Sequence, residues 1–233
     1  MKQRVLVFSP HPDDDLIGCG GSIAKHIGQG DLVTVVYMTS GEAGSLHYSK
    51  SDLARIREAE AAKAAAVLGL TDLIFFQRPD GYLNYNRENL IPIINLIREK
   101  QPNLVYLPHK NDLHKDHIRT YELVMEACTR ASGPWFPECE GQPWSVDIIL
   151  GYEVWTPLSE VSYIEDITSF MDLKVEALKQ HKSQIQDIRY DEAIRGLNRY
   201  RGIMSGKGEY CECFQVIKIN QFFHLEGRDD HNT

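Results

Sequence analysis

Short apolar, β-branched runs alternate along this chain with longer segments of helical pattern, and no other feature narrows its fold as far. Arg4–Ser9 reads as a first strand, and Leu16–Gly28 as a helix closed by Gly28 and Gly30. Leu32–Met38 is apolar almost throughout, as expected of a strand buried on both faces. Asp52–Gly69 is Ala-rich and helical, Leu73–Phe76 is a third strand, and Arg87–Lys100 a helix with Pro92 in its early turns, where a missing N–H costs least. Leu104–Leu107 and His114–Arg130 repeat the unit. Such alternation means parallel βαβ units. The predicted fold is therefore α/β: a Rossmann-like, doubly wound, mainly parallel sheet flanked by helices in a single domain. Residues 131–145 form an irregular excursion, a candidate lid. Ile148–Trp155 adds a strand, helices lie near Thr168–Gln184 and Asp191–Met204, and Cys211–Ile219 closes the sheet. No linker, repeat or low-complexity stretch divides the chain, so the domain runs over 1–226, with a polar, frayed tail over 227–233.

Charge and composition remove several functions. The net charge is −8, and no run of five or six like charges appears. A nucleic-acid partner, which needs clustered Lys and Arg, is disfavoured. The apolar run behind Met1-Lys2-Gln3-Arg4 ends at Phe8, too short for a signal or membrane segment. The five cysteines are odd in number, scattered and free of any C-x-x-C pair, which suits buried thiols in a reducing cytoplasm. Cys211 and Cys213 flank Glu212 in a strand and point to one face, so they read as core rather than as a zinc pair.

Acidic and imidazole groups gather at two places. Pro10-His11-Pro12-Asp13-Asp14-Asp15 follows the first strand, and His109-Lys110-Asn111-Asp112-Leu113-His114-Lys115-Asp116-His117 follows the fourth. In the usual order 3-2-1-4, strands one and four are neighbours and flank the switch point where such sheets bind ligands. His11 and Asp14 would then meet His114 and His117 in one crevice. Two imidazoles and a carboxylate suit zinc, or iron(II) or another divalent metal, with open positions left for chemistry. Asp15 fits a helix cap as well as a functional role. The remaining histidines, His26, His47, His181, His224 and His231, read as ordinary solvated or core residues, His181 least securely. Gly18-Cys19-Gly20-Gly21 invites a dinucleotide reading, but the third glycine of G-x-G-x-x-G would fall on Ile23, so these glycines serve close helix–sheet approach. Ser22 lacks the neighbours of a nucleophile elbow.

At these residues the chain resembles the PIG-L/LmbE-like family of zinc-dependent N-acetylglucosaminyl deacetylases. The family's A-H-P-D-D-E stands here as Pro10-His11-Pro12-Asp13-Asp14-Asp15, and its H-x-D-H as His114-Lys115-Asp116-His117. Weaker matches are Ser40-Gly41-Glu42-Ala43-Gly44, Arg57-x-x-Glu60, the segment from Ala177 through His181 to Gln184, and Tyr210-Cys211-Glu212-Cys213-Phe214 for Y-A-E-A-F. The resemblance implies His11, Asp14 and His117 as metal ligands and Asp13 as general base. It implies His114 as general acid or oxyanion stabiliser, and Tyr210 as a further oxyanion donor. Asp116 and Asp112 would orient the histidines. Arg57, Asp80 and Glu42 would meet the sugar, although Arg57 with Glu60 also reads as a surface pair at i,i+3, and Glu42 as a turn residue. Of Trp135, Trp144 and Trp155, one is expected in the pocket. The activity so implied is hydrolysis of the acetamide of an N-acetylglucosamine-type sugar or glycoconjugate to amine and acetate, by a homo-oligomer. The alternatives are another metal-dependent amidase or esterase of the same fold, and a non-catalytic sugar- or nucleotide-binding module.

Overall fold

The computed structural model describes residues 2–220; His224, His231 and the expected tail over 227–233 lie outside them. In chain order come β1 (Arg4–Ser9), α1 (Asp14–Gly28), β2 (Leu32–Thr39), α2 (Lys50–Leu68) and β3 (Asp72–Arg78). Next are α3 (Arg87–Lys100), β4 (Leu104–Pro108), α4 (Lys115–Ala131), β5 (Ile148–Tyr152) and β6 (Tyr163–Asp166). A 3-10 turn at Thr168–Phe170 leads to α5 (Met171–Leu178), α6 (Lys182–Ile185), α7 (Tyr190–Ser205) and β7 (Cys211–Ile219). The strands form a single sheet in the order β3-β2-β1-β4-β5-β7-β6. β1 through β5 are parallel, and β6 and β7 antiparallel. The expected 3-2-1-4 neighbourhood holds, with Val5 opposite Leu104.

Both faces of the sheet are buried, which explains the unbroken apolar strands. Val5, Val7, Val33 and Val35 meet α1, α2 and α5 on one face. Leu6, Phe8, Val36 and Val105 meet α3 and α4 on the other. Helix α1 can lie close because its glycines have no side chain: a Cβ on Gly18 would sit 2.2 Å from the Tyr152 ring, and one on Gly21 2.7 Å from Ile167 Cβ. The helix bends at Cys19 (φ −143°, ψ 22°), and the Ile17 carbonyl accepts a hydrogen bond from buried Lys174 Nζ (3.0 Å). Glu212 completes this junction, accepting from Gly21 N and Ser22 N (2.8 Å each) and pairing with Lys174 Nζ at 2.7 Å. Pro92 is the sixth residue of α3, beyond the free first turn, and the Glu88 carbonyl it deprives accepts from Arg78 Nη2 (3.3 Å).

Three expectations change. The region 168–184 is not one helix, because the chain breaks at residues 179–181 to bring Ser183 onto the Glu60 carboxylate (2.9 and 2.7 Å). β5 stops at Tyr152, which leaves Trp155 in a loop, and β6 is an additional edge strand. The 131–145 excursion is no lid. Arg98 Nη2 donates to Gly133 O (2.8 Å) and Trp144 Nε1 to Pro102 O (2.8 Å), which ties the segment to the sheet edge opposite the β1 and β4 carboxyl ends.

Candidate active site

The carboxyl ends of β1 and β4 open into a cleft of about 320 Å³. Among its lining are His11, Asp13, Asp14, Arg57, Asp80 and His114. His11 leaves β1 and faces carboxylates on both sides of its ring. Its Nδ1 is 2.9 Å from Asp14 Oδ2, and its Nε2 is 3.1 Å from Asp80 Oδ1 and 3.3 Å from Asp116 Oδ2. His117, one turn into α4 and fully buried, turns Nε2 toward the same Asp14 Oδ2 (3.2 Å) and Nδ1 toward Asp112 Oδ1 (3.4 Å). Neither approach has hydrogen-bond geometry. The rings of His11, His114 and His117 lie with centroids 4.8–5.3 Å apart.

This donor set fits a divalent cation. His117 Nε2 is a buried nitrogen without a hydrogen-bond partner, aimed at an oxygen already shared with His11. Each imidazole also backs onto a carboxylate through its other nitrogen, the arrangement that orients metal-ligating histidines. Ligand atoms of His11, His114 and His117 lie within 4.8 Å of one another, as do those of His11, Asp80 and Asp116. The second group is less free, because Asp116 Oδ2 and Oδ1 accept from Gly81 N (2.7 Å) and Leu83 N (3.2 Å), and Asp80 Oδ2 from Ala43 N (2.9 Å). Burial alone would lower the proton affinity of both imidazoles. Asp14, with Asp116 and Asp80, instead holds His11 well above its usual range, and Asp14 with Asp112 lifts His117 to about 9. The same negative field favours a metal ion.

Asp13 occupies a strained position. Its φ is 135°, a conformation few non-glycine residues adopt. Arg57 fixes it there, with Nη2 donating to Pro12 O (2.7 Å) and Asp13 Oδ1 (2.9 Å), and Nη1 to Gly41 O (3.1 Å). Burial drives the Asp13 carboxyl up to about 7, against the opposing pull of Arg57. Arg57 is 3% exposed, so it is no surface partner of Glu60, whose carboxylate holds Ser183 instead. Gly41 and Gly44 make room for it: a Cβ on either would lie 2.3 or 2.7 Å from Arg57 Nη1. Asp15 caps nothing; it is buried, accepts from Tyr37 OH (3.2 Å) and donates its N–H to Ser9 Oγ (3.0 Å).

His114 is the N-cap of α4. Its Nδ1 accepts the Asp116 N–H (3.2 Å), so in the neutral ring the proton sits on Nε2. Burial, then His11 and His117, lower its proton affinity. Asp112 accepts His114 N on Oδ1 (2.9 Å), and Trp155 N and Thr156 N on Oδ2 (3.0 and 3.2 Å). Glu42 does not line the cleft; it accepts the Asp80 N–H (2.8 Å) and steadies the Asp80 turn. Nor does Tyr210. That residue precedes β7, beyond β5 from the switch point, and its ring lies beside Arg195 and Arg199, with guanidinium carbons 5.7 and 5.3 Å from its centroid. The phenol in the cleft is that of Tyr190, at the start of α7. Of the tryptophans, Trp155 lines the cleft, while Trp144 packs beneath Arg4 and Trp135 lies on the Arg98-bound excursion. Ile17, Gln184, Ile188 and Tyr190 were not foreseen as cleft residues. None stands in a chemical motif, and only Gln184 lies in a segment with a family resemblance.

A family model described as PIG-L, GlcNAc-PI de-N-acetylase, matches residues 6–128. The diacetylchitobiose deacetylase of Thermococcus kodakarensis is 31% identical over 96% of this chain and 86% of its own length. Among solved structures, the N,N'-diacetylchitobiose deacetylase of Pyrococcus horikoshii superposes with a TM-score of 0.85 at 31% identity, covering 98% of this chain and 88% of that one. The 4-carboxy-2-hydroxymuconate hydratase of Pseudomonas putida superposes with a TM-score of 0.81 at 25% identity, covering 97% and 100%.

Proposed function

The chain belongs to the PIG-L family, and from that premise we propose that it is a metal-dependent hydrolase that removes the acetyl group of an N-acetylglucosamine-type sugar or glycoconjugate. The observation that carries this reading is the meeting of Asp13, His11 and Asp14 in one cleft with His117 buried against Asp14, from stretches about a hundred residues apart. His11, Asp14 and His117 would hold zinc, or iron(II) or another divalent metal. Such an ion would polarise the amide carbonyl and favour ionisation of water at neutral pH. Asp116 and Asp80 face His11 Nε2, and Asp112 faces His117 Nδ1, the positions from which carboxylates would orient the two rings once a metal is bound.

Asp13 is placed to take a proton from the attacking water. Arg57 occupies its Oδ1, Oδ2 has no assigned partner, and burial keeps the group poised near neutrality. His114 Nε2–H can donate a hydrogen bond to the carbonyl oxygen as negative charge develops there, and the proton that Asp13 has taken from water passes to the leaving nitrogen. Water adds to the carbonyl carbon, the C–N bond breaks, and acetate and a free sugar amine leave. Asp80 and Arg57 flank the same space and are the polar groups nearest to hand for sugar hydroxyls. Among the described residues no helix is long and apolar enough to cross a membrane. All five cysteines are unpaired, as a reducing cytoplasm would keep them.

The test is direct. Purified protein loaded with zinc, iron(II) or cobalt is offered a panel of N-acetylglucosamine conjugates, and released acetate and free amine are measured. Equimolar acetate and amine are expected. No turnover with any of the three metals across the panel would overturn the reading. Acetate release also separates it from a hydratase activity, the one named for the Pseudomonas neighbour.

A further inference from the structure

Helix α1 starts at the cleft, with Asp13 as its N-cap and Asp14 as its first residue, and bends at Cys19. A buried ion pair from two other elements sits at the bend: Lys174 of α5 and Glu212 of β7, both shut off from water. In a regular helix the Ile17 carbonyl receives the Gly21 N–H four residues on. Here each of those groups has a partner from outside the helix. Gly21 N donates to Glu212 Oε1 at 2.8 Å, and Ile17 O accepts from Lys174 Nζ at 3.0 Å. The pair is also fully satisfied. Lys174 Nζ uses its other two protons on Glu212 Oε1 (2.7 Å) and Asn198 Oδ1 (2.9 Å). Glu212 Oε2 accepts from Ser22 N (2.8 Å) and Ser22 Oγ (2.6 Å), and Asn198 Nδ2 is tied to Cys211 O (2.9 Å).

Stability alone does not call for such a pair. Two charges withdrawn from water gain little over apolar side chains of the same volume, and the best-attested use of a buried polar contact is to fix one arrangement among several. What this one fixes leads back to the cleft. Ile17, whose carbonyl Lys174 holds, donates its own N–H to Asp13 O at 2.9 Å, beside Leu16 N at 3.0 Å. Two hydrogen bonds therefore connect Lys174 Nζ to the backbone of Asp13, the residue whose φ is 135°. We propose that Lys174 and Glu212 are positioning residues: they hold the first turn of α1 in the direction that sets Asp14 between His11 and His117, and Asp13 against Arg57. This rests on the deacetylase reading above and adds to it two residues that act through the backbone of α1. Neither lines the cleft.

The experiment compares wild type with Lys174→Met/Glu212→Leu, which removes both charges together, and with Glu212→Gln, which keeps an acceptor for Gly21 N–H and Lys174. Zinc affinity is measured by competition with a chelating dye, and kcat and KM by acetate release from an N-acetylglucosamine conjugate at saturating zinc. The double variant should fold with a thermal midpoint near that of wild type. It should bind zinc about 10–100-fold more weakly and lose about tenfold or more in kcat. KM should stay within about twofold, because Arg57 and Asp80 are not on α1. Glu212→Gln should stay within about threefold of wild type in affinity and kcat, since only Ser22 N–H loses its acceptor. A folded double variant with wild-type affinity and kcat overturns the proposal. So does a double variant that fails to fold, which would make the pair a stabilising element. Glu212→Gln as impaired as the double variant also overturns it, because charge and not the held bend would then be the cause. If wild type binds zinc but releases no acetate, the deacetylase reading fails and zinc affinity alone decides. If wild type holds no zinc, amide hydrogen exchange decides: Leu16 and Ile17, which bond Asp13 O, should exchange about tenfold faster in the double variant while amides beyond Ser22 keep their rates. Equal rates throughout α1 overturn the proposal.

Discussion

Replacing Asp13 by Asn separates its proton chemistry from every other service it performs. Asn keeps the shape, and its amide oxygen can still accept from Arg57 Nη2 where Oδ1 does now, at 2.9 Å. Arg57 retains Pro12 O and Gly41 O in either case. Asn is isosteric with Asp and bears the same strain, so the 135° at this position need not change. The buried carboxylate is penalised by desolvation, so the neutral amide should cost the fold little. What disappears is the acceptor for the water's proton. General-base catalysis contributes about 10²–10⁴ in rate, equivalent to roughly 2.7–5.4 kcal/mol of transition-state stabilisation. Expected, then, is a loss of kcat/KM of that size, with stoichiometric metal by mass spectrometry and a thermal midpoint near that of wild type. Asp14→Asn, which alters the oxygen shared by His11 and His117, should instead lose the metal. An Asp13→Asn protein that holds metal and keeps more than a tenth of wild-type turnover refutes the base assignment. One that loses metal makes Asp13 a ligand.

Asp112→Asn should weaken metal affinity about 10–100-fold, because the carboxylate facing His117 Nδ1 is neutralised; competition with a chelating dye measures it, and unchanged affinity would refute the orienting role. His181 is buried without a hydrogen-bond partner, and burial, then Arg57, lowers its pKa to about 3. Between its unfolded value near 6.5 and about 3 the unfolded chain holds the extra proton, so stability is lost as pH falls through that window. From pH 6.5 to 4.5 this amounts to about 2.3 kcal/mol. Urea unfolding of the metal-free protein should therefore show His181→Leu losing less stability over that interval than wild type, and parallel curves would contradict it. Gly18→Ala drives a methyl group into the Tyr152 ring, which cannot swing aside because its hydroxyl is held by Phe8 O at 2.7 Å. A destabilisation of about 1–3 kcal/mol is expected in thermal or urea unfolding; an unchanged midpoint would mean that α1 can lift off the sheet. Asp13→Gly should be about 1–2 kcal/mol more stable than Asp13→Ala, since only glycine is unstrained at that φ; equal stability of the two would show the backbone to be relaxed.

Legibility from sequence followed how local each cause was. β1, β2 and β4 are apolar almost throughout, and the residues behind β1 and β4 had to share an edge once those strands were neighbours. That much placed His11, Asp13, Asp14, His114 and His117. The break at residues 179–181 carries no glycine or proline to announce it, because its cause is Glu60, more than a hundred residues earlier. β6 is four residues long and pairs only with β7, so no periodicity marks it. Tyr210 looked like the site's phenol because it sits in a motif. Motif position says nothing about which edge a residue reaches, and the antiparallel return of β7 leaves it beside α7. Ile188, in the loop between α6 and α7, and Tyr190, at the start of α7, come to the cleft from a segment whose placement depends on everything packed before it.

The turn after β1 shows why the acidic run is worth its strain. Three consecutive aspartates share a few ångströms of backbone, yet each faces different partners: Asp14 the two imidazoles, Asp13 the guanidinium of Arg57, Asp15 the buried hydroxyls of Ser9 and Tyr37. Regular backbone would send neighbours in a fixed rotation and could not aim Asp13 and Asp14 at one cleft from adjacent positions. A φ of 135° at Asp13 supplies the needed change of direction, at a cost of about 1–3 kcal/mol. Such a conformation persists only where surrounding contacts over-determine it. Here Arg57 grips the carbonyl on one side of the bend and the carboxylate within it, while His11 N donates to Asp14 Oδ2 (2.9 Å) across it. Arg57 can do so only because Gly41 and Gly44 vacate the space its guanidinium fills. The glycines after β2, the arginine of α2 and the strained aspartate after β1 thus form one device. Its product is a set of imidazole and carboxylate donors beside a buried carboxylate, the juxtaposition that the proposed hydrolysis would use.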